Sequence, residues 1–415
     1  MAERVDPTTR LQSGQASLLT NWAGNVVYGA AQTATPATVD ELRQIVVAST
    51  CAKAVGSGHS FRAIASTRGT LISMREFARI DSPGADGSVR VGAGVTYGDL
   101  ARHLASNGRA LANFASLPHI SVGGAVATAT HGSGPQNPAL SSAVAALELV
   151  LADGSLRTIR RGDPEFDGAV VSLGCLGVVA AVTLETVAAF ELSQYVFEAI
   201  PWPRTERELS ALLRSGYSTS LFVSWARPNV EQVWVKSADP MEELCGVRPA
   251  ASPRHPIDGA DPSHTTEQLG VPGPAAERLP HFRFEGIPSA GDELQSEYAV
   301  GAVDAVAALR ALRAIGPQLA PLLHVSEIRA VASDSFWLSP FYERDSITFH
   351  FTWKRSPAVA AAVAFVETVL APWQPRPHWA KLFTYSDEFL DAAFPRLDSF
   401  EQLRYRYDPG GKFRD

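Results

Sequence analysis

The chain has 415 residues, a formal net charge of −7 from 36 Lys and Arg against 43 Asp and Glu, and 46% hydrophobic residues. This is the composition of a soluble globular protein, too long for one ordinary core, so two domains are expected. The acidic balance argues against nucleic acid or an anionic membrane as main partner, and no apolar run reaches the roughly 20 residues that cross a bilayer.

Met1–Leu18 carries neither a basic stretch followed by an apolar core nor a twin arginine, so a cytoplasmic protein is expected. Thr38 then introduces a helix over Asp40–Ala48, with Leu42, Ile45 and Val46 on one face. Ala52–Val55 reads as a short strand closing in Val55-Gly56-Ser57-Gly58-His59-Ser60-Phe61. Phe61 stands where the third glycine of a dinucleotide fingerprint belongs, so that fingerprint fails. Gly and Ser around a lone His predict a tight loop that approaches a bulky ligand. On this pattern alone His59 is either a handle on a cofactor or an ordinary loop residue.

Val89–Gly94 predicts a strand and turn, and Gly92-Ala93-Gly94-Val95-Thr96-Tyr97 again misses the third glycine. A helix is expected over Tyr97–Ala105, then a hairpin of Val144–Leu151 and Leu156–Ile159 turning at Asp153-Gly154. Val178–Glu185 is another β-rich run. The texture is α+β, without a long βαβ series. After Phe190 come strands at Leu221–Trp225 and Gln232–Val235. The Pro-, Gly- and His-rich stretch Pro240–Pro280 predicts a functional lid or a disordered insert. Helices follow at Val303–Leu312 and Ala358–Leu370, the second opening at Pro357.

Two strands carry polar groups in strict alternation. In Ile347–Trp353, residues Ile347, Phe349, Phe351 and Trp353 share one face, and Thr348, His350 and Thr352 the other. Val325–Arg329 likewise puts Glu327 and Arg329 together. If the strands are neighbours, Glu327, Arg329, His350 and Thr352 form one hydrogen-bonding patch. It is either a site for a ligand with several hydroxyl groups or the solvated face of a sheet. Trp337, Trp353 and Trp379 are sugar platforms or core. Cys51, Cys175 and Cys245 form no C-x-x-C pair and read as buried free thiols. There is no H-E-x-x-H, zinc spacing, Walker A loop or G-x-S-x-G elbow, so no metal site or serine hydrolase is expected.

The segment Ala115-Ser116-Leu117-Pro118-His119-Ile120-Ser121-Val122-Gly123-Gly124, continuing through Thr128 to His131-Gly132-Ser133-Gly134, is dense in small residues that let backbone amides approach a pyrophosphate. With the His59 loop it resembles the vanillyl-alcohol-oxidase superfamily of flavoproteins, and more closely the alditol (xylitol) oxidases, relatives of the aldonolactone oxidases. The resemblance runs from Asn21-Trp22-Ala23-Gly24-Asn25 to Asp408-Pro409-Gly410-Gly411-Lys412-Phe413. It takes in Glu327-Ile328-Arg329, His350-Phe351-Thr352-Trp353 and Pro377-His378-Trp379-Ala380-Lys381.

The resemblance implies an FAD domain over residues 1–188, a substrate domain with a large antiparallel sheet over 189–375, and a segment 376–415 returning to the FAD domain. It implies FAD joined covalently to His59. Val55, Gly56, Ser57, Gly58, Ser60, Ser116, Ser121, Gly124, Thr128, Thr130, His131 and Val179 would cradle it. Ser116, Glu327, Arg329, His350, Thr352 and Lys381 would hold a polyol, with Arg329 and Lys381 catalytic. Ala115 matches a position governing the approach of oxygen, and His119 and His131 read as structural. The implied reaction is hydride transfer from a terminal primary alcohol to the flavin N5, with O2 reduced to hydrogen peroxide. Lactone oxidation, another electron acceptor, or flavin or sugar binding without turnover are the alternatives. A monomer is expected. Ala129 stands where relatives often have Gly, and the chain ends soon after Phe413, where relatives continue with a short apolar tail.

Overall fold

The computed structural model describes residues 19–286 and 292–414. The expectation about Met1–Leu18 lies outside the described residues. Thr38 caps the first helix, Val39–Ala48, by accepting the Glu41 N–H at 3.2 Å, and Leu42 and Val46 point inward. Three parallel strands, β1 (Gln32–Ala34), β2 (Ala52–Val55) and β3 (Thr70–Ser73), pack beside it with β3 central. The tail returns to this cluster. Phe413 is fully buried against Leu42, Val46 and Ala52, and the Ala52 N–H donates to the Lys412 carbonyl at 2.9 Å.

A second sheet runs β4-β8-β6-β7 and is antiparallel: β4 (Ser88–Gly92), β8 (Val178–Glu185), β6 (Val144–Val150) and β7 (Leu156–Arg160). The β6–β7 hairpin turns at Gly154, whose φ of +81° suits glycine. A two-residue pair, β5 (Arg109–Ala110) and β9 (Val187–Ala188), closes this region. The helix Tyr97–Ser106 is capped by Thr96 and buries Tyr97, Leu100 and Leu104.

The third sheet has eight antiparallel strands in the order β13-β10-β12-β11-β15-β16-β14-β17. They are β10 (Glu191–Pro201), β11 (Ser218–Val223), β12 (Asn229–Ser237), β13 (Gly273–Pro274), β14 (Glu293–Gly301), β15 (Leu323–Val331), β16 (Ser346–Lys354) and β17 (Arg376–Pro377). Register sets Glu327 opposite His350, and His350 opposite Glu297, so one row of polar side chains crosses three strands. On the other face Ile328, Phe349, Phe351 and Trp353 pack into one core with the helices Ala305–Ala314 and Val359–Leu370. Trp353 and Trp379 are core residues, and Trp337 packs at its edge.

Four readings need correction. The polar face of β15 and β16 is not solvated: Thr348, His350, Thr352, Glu327 and Arg329 are all buried, and the small-residue segment 115–134 reaches it where Arg329 lies 3.5 Å from Ser116 Oγ and from the His131 carbonyl. Pro240–Pro280 is not a disordered insert, and its His255, Pro256 and Ile257 line the cleft described below. Its Thr266, Gln268 and Arg278 are buried and hydrogen-bonded, and β13 joins the sheet edge. The three cysteines are half-buried rather than buried, Cys175 lying 3.6 Å from the Lys53 ammonium. The helix predicted from Val303 starts at Ala305, since a turn from β14 leaves Val303 outside. Among the described residues no helix is long and apolar enough to cross a membrane.

Candidate active site

Between the first two sheets and the polar face of the third lies a cleft with about 1860 Å³ of space, counting the part open to solvent. Every residue expected to hold cofactor or substrate, or to govern oxygen, lines it: Val55 to Ser60, Ala115, Ser116, Ser121, Gly124, Thr128, Thr130, His131 and Val179 on one side, Glu327, Arg329, His350, Thr352 and Lys381 on the other.

The first side is a tightly laced pair of loops. The Ser57 N–H donates to the Ser121 hydroxyl at 3.3 Å, and the Ser121 N–H to the Ser57 hydroxyl at 3.1 Å. A Cβ on Gly56 would lie 1.9 Å from Ser121 Oγ, so only glycine permits the approach. Ala129, buried, has φ +52°. That left-handed conformation costs an alanine roughly 1–2 kcal/mol.

His59 sits at the end of the cradle. Its ring stacks on Trp22 at 5.2 Å, and Nδ1 lies 3.1 Å from the Ser57 carbonyl. That carbonyl accepts, so the proton is on Nδ1 and Nε2 is bare; Nε2 has no partner. Burial lowers the pKa to about 4, helped by nearby His119 and opposed by the Ser57 bond, so the ring is neutral near pH 7.

The second side is organised by a residue that sequence reasoning missed. Glu297 on β14 is 1% exposed. Its Oε1 accepts from Arg329 at 2.6 Å and its Oε2 from Lys381 at 2.6 Å. Burial alone would raise its pKa, but Arg329 and Lys381, then His131, hold it well below the usual carboxylate range. The available signal was the alternation of Gln295 and Glu297 with Leu294, Ser296 and Tyr298 in one β-rich run.

Lys381 also reaches His350 Nδ1 at 2.7 Å, and His350 Nε2 lies 3.1 Å from Thr352. Burial pushes the Lys381 pKa down, Glu297 pulls it up, and Arg329 adds to the lowering. Arg329 Nε is buried without a hydrogen bond, 3.6 Å from Glu327. Glu327 is likewise held low by Arg329 and His281 against the effect of burial. His281, His378, Gln295 and Phe222 line the same cleft and were not singled out from the sequence.

His131, Glu297 and His378 cluster at metal-ligand spacing, all buried. The carboxylate there is already paired with two cations, which repel a third. His131 Nε2 lies 3.3 Å from Glu297 Oε1, and burial lowers its pKa, so it adjoins the charged groups as a cleft wall.

A family model described as FAD binding domain matches residues 30–160, and one described as D-arabinono-1,4-lactone oxidase matches residues 292–415. Among solved structures, a solvent-stable cholesterol oxidase superposes with a TM-score of 0.75 at 17% identity, over 95% of each chain. Fold and cleft thus define an FAD-binding protein of the α+β architecture that cholesterol oxidases share.

Alditol oxidase of Streptomyces sp. (strain IKD472 / FERM P-14339) is 45% identical over 96% of this chain and 97% of its own length. L-gulono-1,4-lactone dehydrogenase of Mycobacterium tuberculosis is 27% identical, over 95% of this chain and 96% of that one. L-gulonolactone oxidase of Mus musculus is also 27% identical, over 95% of each. The chain belongs to the alditol oxidase family, flavoprotein oxidases acting on CH–OH groups and related to the aldonolactone oxidases. The residues present fit an FAD: glycines let backbone approach it, and His59 leaves a buried nitrogen free toward it.

Proposed function

We propose that this chain oxidises the terminal primary alcohol of a polyol such as xylitol or sorbitol to the aldose, and that His59 holds its FAD covalently. FAD, when bound, would supply the redox chemistry that no side chain can, acceptance of a hydride from the carbinol carbon and delivery of its two electrons to O2 with release of hydrogen peroxide. The observation that carries the reading is the Arg329–Glu297–Lys381 arrangement in a buried cleft, facing the glycine cradle.

The cradle residues Val55 to Ser60, Ser116, Ser121, Gly124, Thr128, Thr130, His131 and Val179 would hold the cofactor. A neutral His59 with a bare nitrogen is the nucleophilic form that a covalent bond to it requires. On the substrate side, Arg329 presents a fixed cation and an unused N–H where an alkoxide develops. Lys381, its pKa lowered by burial, takes the hydroxyl proton in its neutral form and becomes an ammonium already paired with Glu297. Arg stays protonated and serves as the electrostatic partner. Glu327, Ser116, His350 and Thr352 hold the remaining hydroxyls, and small Ala115 leaves O2 room to approach. The cofactor domain comprises residues 1–188 with 376–415, and the substrate domain 189–375.

The match of residues 292–415 to a lactone oxidase model favours one second reading, oxidation of an aldonolactone. Peroxide release with xylitol and sorbitol against L-gulono-1,4-lactone separates the two. Turnover of the lactone alone would reject the polyol reading. Anaerobic bleaching of the flavin by xylitol excludes a binding protein without turnover.

A further inference from the structure

One buried chain of polar side chains takes no part in the chemistry above. Lys236 on β12 is 1% exposed and lies within the large sheet. Its ammonium donates to the Leu279 carbonyl, lies 3.4 Å from the Pro280 carbonyl and 3.0 Å from Nδ1 of His281. Glu327, held as a carboxylate, only accepts, so Nδ1 accepts from Lys236 and the ring carries its proton on Nε2. From there it donates over 2.7 Å to Oε1 of Glu327.

The ring has little freedom to do otherwise. It stands edge-to-face with Phe222 at 5.4 Å and Trp234 at 5.5 Å. Burial keeps it neutral, with a pKa lowered to about 4, reinforced by Lys236 and opposed by Glu327. Burial also lowers Lys236 to about 7, Glu327 pulling the other way and Arg329 adding to the lowering. The same segment reaches the opposite wall, where the His281 N–H donates to the Ser116 carbonyl at 3.1 Å. Its flanking residue Pro280 is pinned by the Thr266 hydroxyl at 2.7 Å.

We propose that Lys236 and His281 form a positioning relay that occupies one oxygen of Glu327 and aims the other at a distal hydroxyl of the polyol. The inference rests on the reading of Glu327 as a polyol ligand. Lys236 fixes the His281 tautomer, and His281 fixes the carboxylate. A carboxylate so held is acceptor-only and reads hydroxyl groups, not the reacting carbinol. The relay therefore governs discrimination between a polyol and an alcohol that lacks distal hydroxyls, and leaves hydride transfer alone.

The test compares xylitol with a short terminal diol, using steady-state kinetics on the flavin-loaded enzyme and its Lys236→Met, His281→Met and His281→Gln variants. Loss of one charged hydrogen bond predicts a rise of about tenfold or more in the xylitol KM for the two methionine variants. kcat and the diol kinetics stay within about threefold. Gln retains a donor toward Glu327, so His281→Gln recovers most of the xylitol KM. Equal losses on both substrates, or an unchanged xylitol KM in folded variants, would overturn the relay. Should Lys236→Met not fold, the two His281 variants decide the matter alone. If the wild-type enzyme oxidises lactone but neither alcohol, the polyol reading itself falls, and the relay with it.

Discussion

Glu297→Gln keeps the shape of the buried carboxylate and removes its charge. Lys381 then faces an amide where it had an anion at 2.6 Å, with the Arg329 cation still nearby. At an effective dielectric near 20, two unit charges about 4 Å apart attract by roughly 4 kcal/mol, or about three pH units at 1.36 kcal/mol each. Relaxation and the remaining polar neighbours reduce that figure, so a downward move of at least one pH unit is expected for the Lys381 amine. The assay is anaerobic reduction of the flavin by xylitol, followed by stopped flow across pH. The limb of the profile where the proton acceptor loses its proton moves to lower pH in the variant. Breaking a buried pair also costs about 3–5 kcal/mol of stability. With an unfolding entropy of ~2.1 cal/mol/K per residue, that is a fall in Tm of about 3–6 °C for a chain of this length. A folded, flavin-loaded variant whose pH profile coincides with wild type would refute the pairing as the control on Lys381.

Arg329→Ala should lower kcat by about 10² or more while flavin stays bound, since an electrostatic group at a developing anion is removed; turnover within threefold of wild type would sink the role given to Arg329. In His59→Ala, acid precipitation should release the flavin into the supernatant, and colour remaining in the pellet would reject the covalent bond. Gly56→Ala drives a Cβ to within 1.9 Å of Ser121 Oγ, so the loops must part and cofactor loading should fail, read as the ratio of flavin to protein absorbance. Acid should destabilise the fold. His281 titrates at about 4 rather than 6.5, so the unfolded chain binds the proton more tightly as pH drops through that window. The gap corresponds to roughly 3 kcal/mol, and Glu297 and Glu327, held low in the fold, add to the loss below the ordinary carboxylate range. A Tm that stays level from pH 7 to 4.5 would contradict this.

Local elements were legible where the cause is local. Thr38 and Thr96 cap the helices they precede, Asp153-Gly154 turns the hairpin, and alternation over Ile347–Trp353 separates two faces of a strand. Resemblance along the whole chain carried the family, through segments as distant as the His59 loop and Lys381. Alternation cannot say what covers a polar face, however. The burial of Glu327, Arg329 and His350 follows from distant segments folding against them: Ser116 and His131 meet Arg329, His281 meets Glu327, and Lys381 meets His350.

Glu297 escaped for the same reason. A glutamate in a β-rich run differs from a surface residue only once register sets it opposite His350 and the chain's return brings Lys381 to it. The sequence by itself determined the elements, the glycines at which backbone must approach closely, and the kinds of donor and acceptor available. Tertiary structure alone decided which charges meet away from water. Coulomb attraction and desolvation act between side chains wherever the fold brings them, so the pairing of Glu297 with Arg329 and Lys381 has no counterpart in any local pattern.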